Sequence, residues 1–158
     1  MKRSLMAALI VVAAAASASA QTATQTVTLQ VDAINQISVS GTPSLTISAA
    51  VAGGAPTSAT STGATWAVTT NQTSAKITAS IASALGTGFT LSANMGNPTG
   101  ATSAGYQALG TTAVDLVTGI TKLNETGLSL DYKLDATAAA GTLSSTTRVV
   151  TFTITGGV

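Results

Sequence analysis

The chain has 158 residues, only 7% of them charged, with a formal net charge of +1 and neither His nor Cys. Without imidazole or thiolate, Ser-His-Asp catalysis and the usual ligand sets for zinc, haem and iron–sulfur are excluded. No basic stripe is present, which argues against nucleic acid and anionic membrane surfaces as partners.

Lys2 and Arg3 precede an apolar run, residues 5–16, too short to span a bilayer. Ala18-Ser19-Ala20 then offers a small-x-small cleavage site. Residues 1–20 read as a secretory signal peptide, and residues 21–158 as one exported domain with no stable membrane insertion. The expected location is extracellular or on the cell surface, reached through a periplasm. Beyond residue 20 the charge is four basic side chains against five acidic ones. Thr, Ser, Ala and Gly dominate, and such a surface is weakly protected against self-association. An exported chain without Cys has no disulfide framework, so its core or its neighbours must hold it.

Residues 21–32 alternate most cleanly. Thr22, Thr24, Thr26 and Thr28 share one face; Val27, Leu29 and Val31 share the other. Residues 34–39 and 45–47 read as the next strands, and residues 49–64 as a low-complexity loop. Trp66 and Val68 mark a strand, Asn71-Gln72 a turn, and Ile77, Ala79 and Ile81 its hairpin partner. Phe89, Leu91 and Ala93 form an inward face, followed by a second loop over residues 94–105. Val114, Leu116 and Val117 fit a strand or a helical turn. Leu128, Leu130, Tyr132 and Leu134 alternate with Ser129, Asp131 and Lys133. After a loop at Gly141, Val150, Phe152 and Ile154 point one way, and Val149, Thr151, Thr153 and Thr155 the other. Seven to nine strands at roughly ten-residue spacing predict an all-β fold, an immunoglobulin-like antiparallel β-sandwich, with a jelly roll or small barrel as the alternative. Trp66 would anchor its core with Phe89, Tyr132 and Phe152.

Chemistry has few footholds. A Ser–Lys dyad through Lys76, Lys122 or Lys133 competes with ordinary solvated lysines. Asp131 and Asp135 on one strand face would lie roughly 13 Å apart, beyond the range of a glycosidase pair. With Lys133 between them, a sign-alternating surface ladder fits better. Asp32, Asp115 and Glu125 are the residues a calcium site would draw on, but no Asp-x-Asp-x-Asp loop is present. Asn71-Gln72-Thr73 and Asn124-Glu125-Thr126 match the glycosylation triplet, which arises easily by chance in so Thr-rich a chain. The expectation is no catalytic residue, no metal and no cofactor.

The leading segment, residues 21–32, is either the first strand of its own sandwich or a strand added to a neighbour's sheet edge. The run Arg148-Val149-Val150-Thr151-Phe152-Thr153-Ile154-Thr155 and the leading alternation of residues 22–31 resemble the end strands of secreted bacterial fimbrial, pilin-like and coat-type subunits. The resemblance implies an immunoglobulin-like domain, no catalysis and assembly by donor-strand complementation. The chain lacks the cysteine pair of chaperone-assembled pilins, and it has Gly157-Val158 where they carry a near-terminal Tyr. The expected function is a non-enzymatic structural subunit that associates with itself or with other surface subunits. Val27, Leu29 and Val31 would form the donor face, with Val150, Phe152 and Ile154 as the accepting edge. The alternative is a secreted binding or adhesion module for a carbohydrate, a surface or ice. It would use the Thr rows, flat if the first and last strands were neighbours, or the long loops.

Overall fold

The computed structural model describes residues 20–157, and the chain divides into two units after Val31. The signal-peptide reading therefore falls, apart from Ala20, outside the described residues.

The second unit holds nine strands: β1 Asn35–Ser40, β2 Ala59–Thr70, β3 Ala75–Ile81, β4 Phe89–Met95, β5 Thr102–Ser103, β6 Gln107–Ala108, β7 Val114–Ile120, β8 Leu123–Ala136 and β9 Val150–Thr155. A 3-10 turn, Ala138–Ala140, follows β8. Every pairing is antiparallel. One sheet runs β1-β2-β8-β4-β6, the other β5-β7-β3-β9. The all-β sandwich that the strand spacing predicts is present. β7 and β3 are the inner strands of the four-stranded sheet, and β8 is the centre of the five-stranded one.

The core lies between the sheets. Trp66 and Val68 of β2, Met95 of β4 and Leu130 of β8 face Ile77 of β3 and Leu116, Val117 and Ile120 of β7, all nearly inaccessible to water. Tyr132 is buried and Phe152 packs on this core, whereas Phe89 stays outside it. Burying each large aliphatic group contributes about 1.5–3 kcal/mol, so alternation decides which face of each strand turns inward.

Four expectations are corrected. Residues 45–47 form no strand; Leu45 instead packs against the core from the loop. The loop ends at Ser58, because β2 already begins at Ala59, where Ala59, Thr60 and Ser61 pair with Leu134, Lys133 and Tyr132 of β8. β3 is not the hairpin partner of β2. The turn after Thr70 carries the chain from one sheet to the other, so the apolar stripes of β2 and β3 oppose each other across the core. The first-strand reading of residues 21–32 fails too, since residues 20–34 form no strand and the five-stranded sheet starts with β1. β1 brings its own inward stripe, Asn35 and Ile37, to β2, opposite Thr70 and Val68.

Candidate functional site: an open seam and the root of the leading segment

The two sheets have four edges. β5 and β6 are two residues long and offer no template. β1 and β9 are six residues each, and neither contains a charge or a proline. They lie beside each other on one flank of the sandwich. The backbone N–H and C=O groups on the outer side of such a strand have no ladder partner. Charges, prolines and bulges are the usual protections against adventitious pairing there, and this flank has none of them.

Burial marks the same flank. On β3, Ile77 is 0% exposed and Ile81 only 3%. Their register partners on β9, Ile154 and Val150, are only partly covered, as is Phe152 opposite Ala79. Across the sandwich Ile37 is partly covered and Val39, opposite Trp66, is 48% exposed. Inward side chains of the two edge strands thus stay partly exposed along this flank.

The end of the seam is built around Asn71. β2 and β1 pair out to Asn35 and Thr70, and the next rung is Ile34 with Asn71. The Asn71 backbone N–H donates to the Ile34 carbonyl at 3.2 Å. The Ile34 N–H donates to Asn71 Oδ1 and Asn71 Nδ2 donates to the Asp32 carbonyl, each at 2.8 Å. Residues two apart on an extended chain present their backbone groups to one side, so this amide serves as a surrogate strand partner for Asp32 and Ile34. The neighbours fix it in turn. Gln72 Nε2 donates to Asn71 Oδ1 at 2.6 Å, the Gln72 N–H donates to Thr70 Oγ1, and Thr70 Oγ1 donates to Asn35 Oδ1 at 2.7 Å. Gly157 packs closely on the same turn. A Cβ at Gly157 would collide with the Thr73 carbonyl, so only glycine allows this approach. Beside it, Ile34, Thr69, Thr70, Asn71, Lys122, Leu123 and Asn124 line a shallow open cleft of about 490 Å³.

The predicted assembly residues separate into two sets. Val150, Phe152 and Ile154 stand on the inward face of β9, at the seam. Val27, Leu29 and Val31 belong to the unit before Asp32, in no sheet, at 66%, 86% and 82% exposure. The joint Thr array does not form, because Thr22 to Thr28 are in no strand. A smaller hydroxyl face does: Thr151 pairs with Ser80 and Thr153 with Thr78, with Thr155 beside Lys76.

Two ion pairs lie at the surface. Lys76 pairs with Asp115 and Lys133 with Asp135, each at 3.0 Å. Lys133 Nζ also sits 5.6 Å from the Tyr106 ring centre. The Ser58 hydroxyl donates to Asp135, and that bond, with Lys133 alongside, holds the Asp135 carboxyl below the usual carboxylate range. Burial pushes the Tyr132 phenol up. Glu125 accepts from the Thr99 N–H at 3.0 and 3.2 Å. Among the described residues no three acidic side chains gather as a cation site would require. Sequence reasoning missed β1 as an edge and Asn71 as an anchor. Asn71 was visible as a turn residue and as the start of a glycosylation triplet, but not as an anchor, because its partners lie 37 and 39 positions away.

No family model, curated protein or solved structure matches the chain.

Proposed function

We propose that the protein is an exported, non-enzymatic structural subunit of the cell surface or extracellular space that assembles by strand addition. The leading segment of one copy, residues 22–31, joins the open seam of a second copy. The observation that carries this reading is the uncharged flank of β1 and β9, where Ile37, Val39, Val150, Phe152 and Ile154 are incompletely covered. The occupant is argued from fit. Residues 22–31 are uncharged and carry three branched aliphatics at alternate positions, the spacing a sheet edge reads. Their ten residues are more than enough to span either six-residue edge strand. A contact in which one patch meets a different patch on the next copy gives a ring where the rotation between copies closes and a filament where it does not; the filament is the arrangement proposed.

The test compares protein processed at Gln21 with a chain lacking residues 21–30, by sedimentation and electron microscopy over a concentration series. Regular filaments from the first and a soluble folded domain from the second are the expected pair. A truncated chain that polymerises normally refutes strand addition.

A second reading rests on the paired hydroxyls of β9 and β3. That face would suit a secreted binding module for a carbohydrate, a surface or ice. Thr also simply suits the solvent side of a strand. Thermal hysteresis and polysaccharide pull-down on the truncated chain test this face separately from assembly.

A further inference from the structure

We propose that Asn71 is the positioning residue that makes strand addition intermolecular, an inference that rests on the assembly reading above. The simplest competitor to assembly is internal. Residues 22–31 precede β1 directly, so a turn at residues 32–34 would fold them back as a hairpin on the free edge of their own β1. A two-residue hairpin loop is the commonest antiparallel connection, and it works at far higher effective concentration than a second molecule.

Residues 32–34 are not available for such a turn. The Ile34 N–H and C=O both bond to Asn71, one through the side chain and one through the backbone. The Asp32 carbonyl is taken by Asn71 Nδ2. These three bonds carry the β1–β2 ladder past Asn35 and keep residues 32–34 extended beside the end of β2. A hairpin reversal at these positions would have to break them. The amide can hold this geometry because Gln72 Nε2 donates to the same Oδ1 and the Gln72 backbone is itself tied to Thr70 and, through its carbonyl, to the Lys122 N–H. The inference therefore assigns Asn71 a role in choosing the partner strand, distinct from any contribution to folding the sandwich.

The experiment uses secreted, processed protein carrying Asn71→Ala or Asn71→Asp. Alanine removes both side-chain bonds, and aspartate keeps the acceptor for the Ile34 N–H while losing the donor to Asp32. Two exposed hydrogen bonds at their usual net strength correspond to about a ten-fold shift in the balance between internal and intermolecular pairing. For Asn71→Ala we expect the concentration at half-assembly to rise about ten-fold. Monomer amides of residues 22–31 should gain protection from hydrogen exchange. Asn71→Asp should fall between Ala and wild type, and it serves as the reporting variant if Ala does not fold. A loss of sandwich stability alone would raise exchange everywhere and would not protect residues 22–31. Deletion of residues 21–30 separates the two claims. If deletion abolishes assembly while neither Asn71 variant shifts it or protects the segment, the role of Asn71 is overturned and strand addition stands. If deletion leaves assembly unchanged, strand addition falls and this inference falls with it.

Discussion

Ile77 and Ile154 face each other across the β3–β9 ladder, and the same truncation should affect them differently. Ile77 is 0% exposed in the centre of its sheet; Ile154 is its register partner on the open edge and is only partly covered. Ile77→Ala should cost about 4 kcal/mol of folding free energy, near the upper part of the range for a fully packed aliphatic side chain. Ile154→Ala should cost about 1–2 kcal/mol less, because part of its surface is still in water before and after folding. If a donated strand covers that remaining surface, the difference reappears in assembly. At 1.4 kcal/mol per factor of ten, the association constant should fall about ten-fold for Ile154→Ala. Urea unfolding of the chain lacking residues 21–30 isolates the folding term, and sedimentation of the processed chain reads the assembly term. Equal folding losses at both positions, with no change in association, would mean that the edge of β9 is already closed and that the seam argument is wrong.

Other outcomes follow from the same structure. Asp135 has its carboxyl lowered by Ser58 first and by Lys133, so its contribution is complete above pH about 4 and is lost as pH falls through the lowered folded value. Ser58→Ala should flatten the acid limb of a urea-midpoint titration between pH 5 and 2, roughly, and an unchanged limb would contradict the assignment. Trp66 Nε1 is buried without a protein acceptor among the described residues. Trp66→Phe should therefore cost about 1 kcal/mol, well below the 3–5 kcal/mol of a large aromatic truncation, since an unpaired donor disappears with the lost volume. A measured loss of 3 kcal/mol or more would show that the N–H is satisfied in solution. The exposed Lys76–Asp115 pair should give a coupling within about 0.5 kcal/mol in a double-mutant cycle, and a larger value would indicate a network not seen here.

Strand identity was legible wherever alternation was clean, as at residues 66–70, 75–81, 128–134 and 150–155. It blurred where a bulge breaks the period. In β7, Ile77 pairs with Val117 and Thr78 with Asp115, so Leu116 is skipped and Leu116 and Val117 both turn inward. Two adjacent buried residues read equally as a helical turn, and only the β3 partner resolves them. The start of β2 blurred for another reason. Ala59 to Ala64 offers no large apolar side chain, and its strand character comes from the ladder with β8. Sheet membership is a tertiary property, which is why the turn at Asn71 was legible while the crossing between sheets was not. The candidate donor and acceptor faces could be read from alternation; the anchor that joins them to the domain could not, because it depends on hydrogen bonds across 37 and 39 residues.

The unequal length of the edges has a consequence for valence. One flank ends in the two-residue strands β5 and β6, and the other in the six-residue strands β1 and β9. Under strand addition each copy then has one socket and one plug. Where the rotation between copies does not close a ring, such units form unbranched chains with two unlike ends. A copy missing residues 21–30 keeps its socket and lacks its plug, so it should bind only the end of a chain whose plug is free and stop growth there. Small amounts of the truncated protein would shorten filaments in proportion to their share, without weakening the links already made.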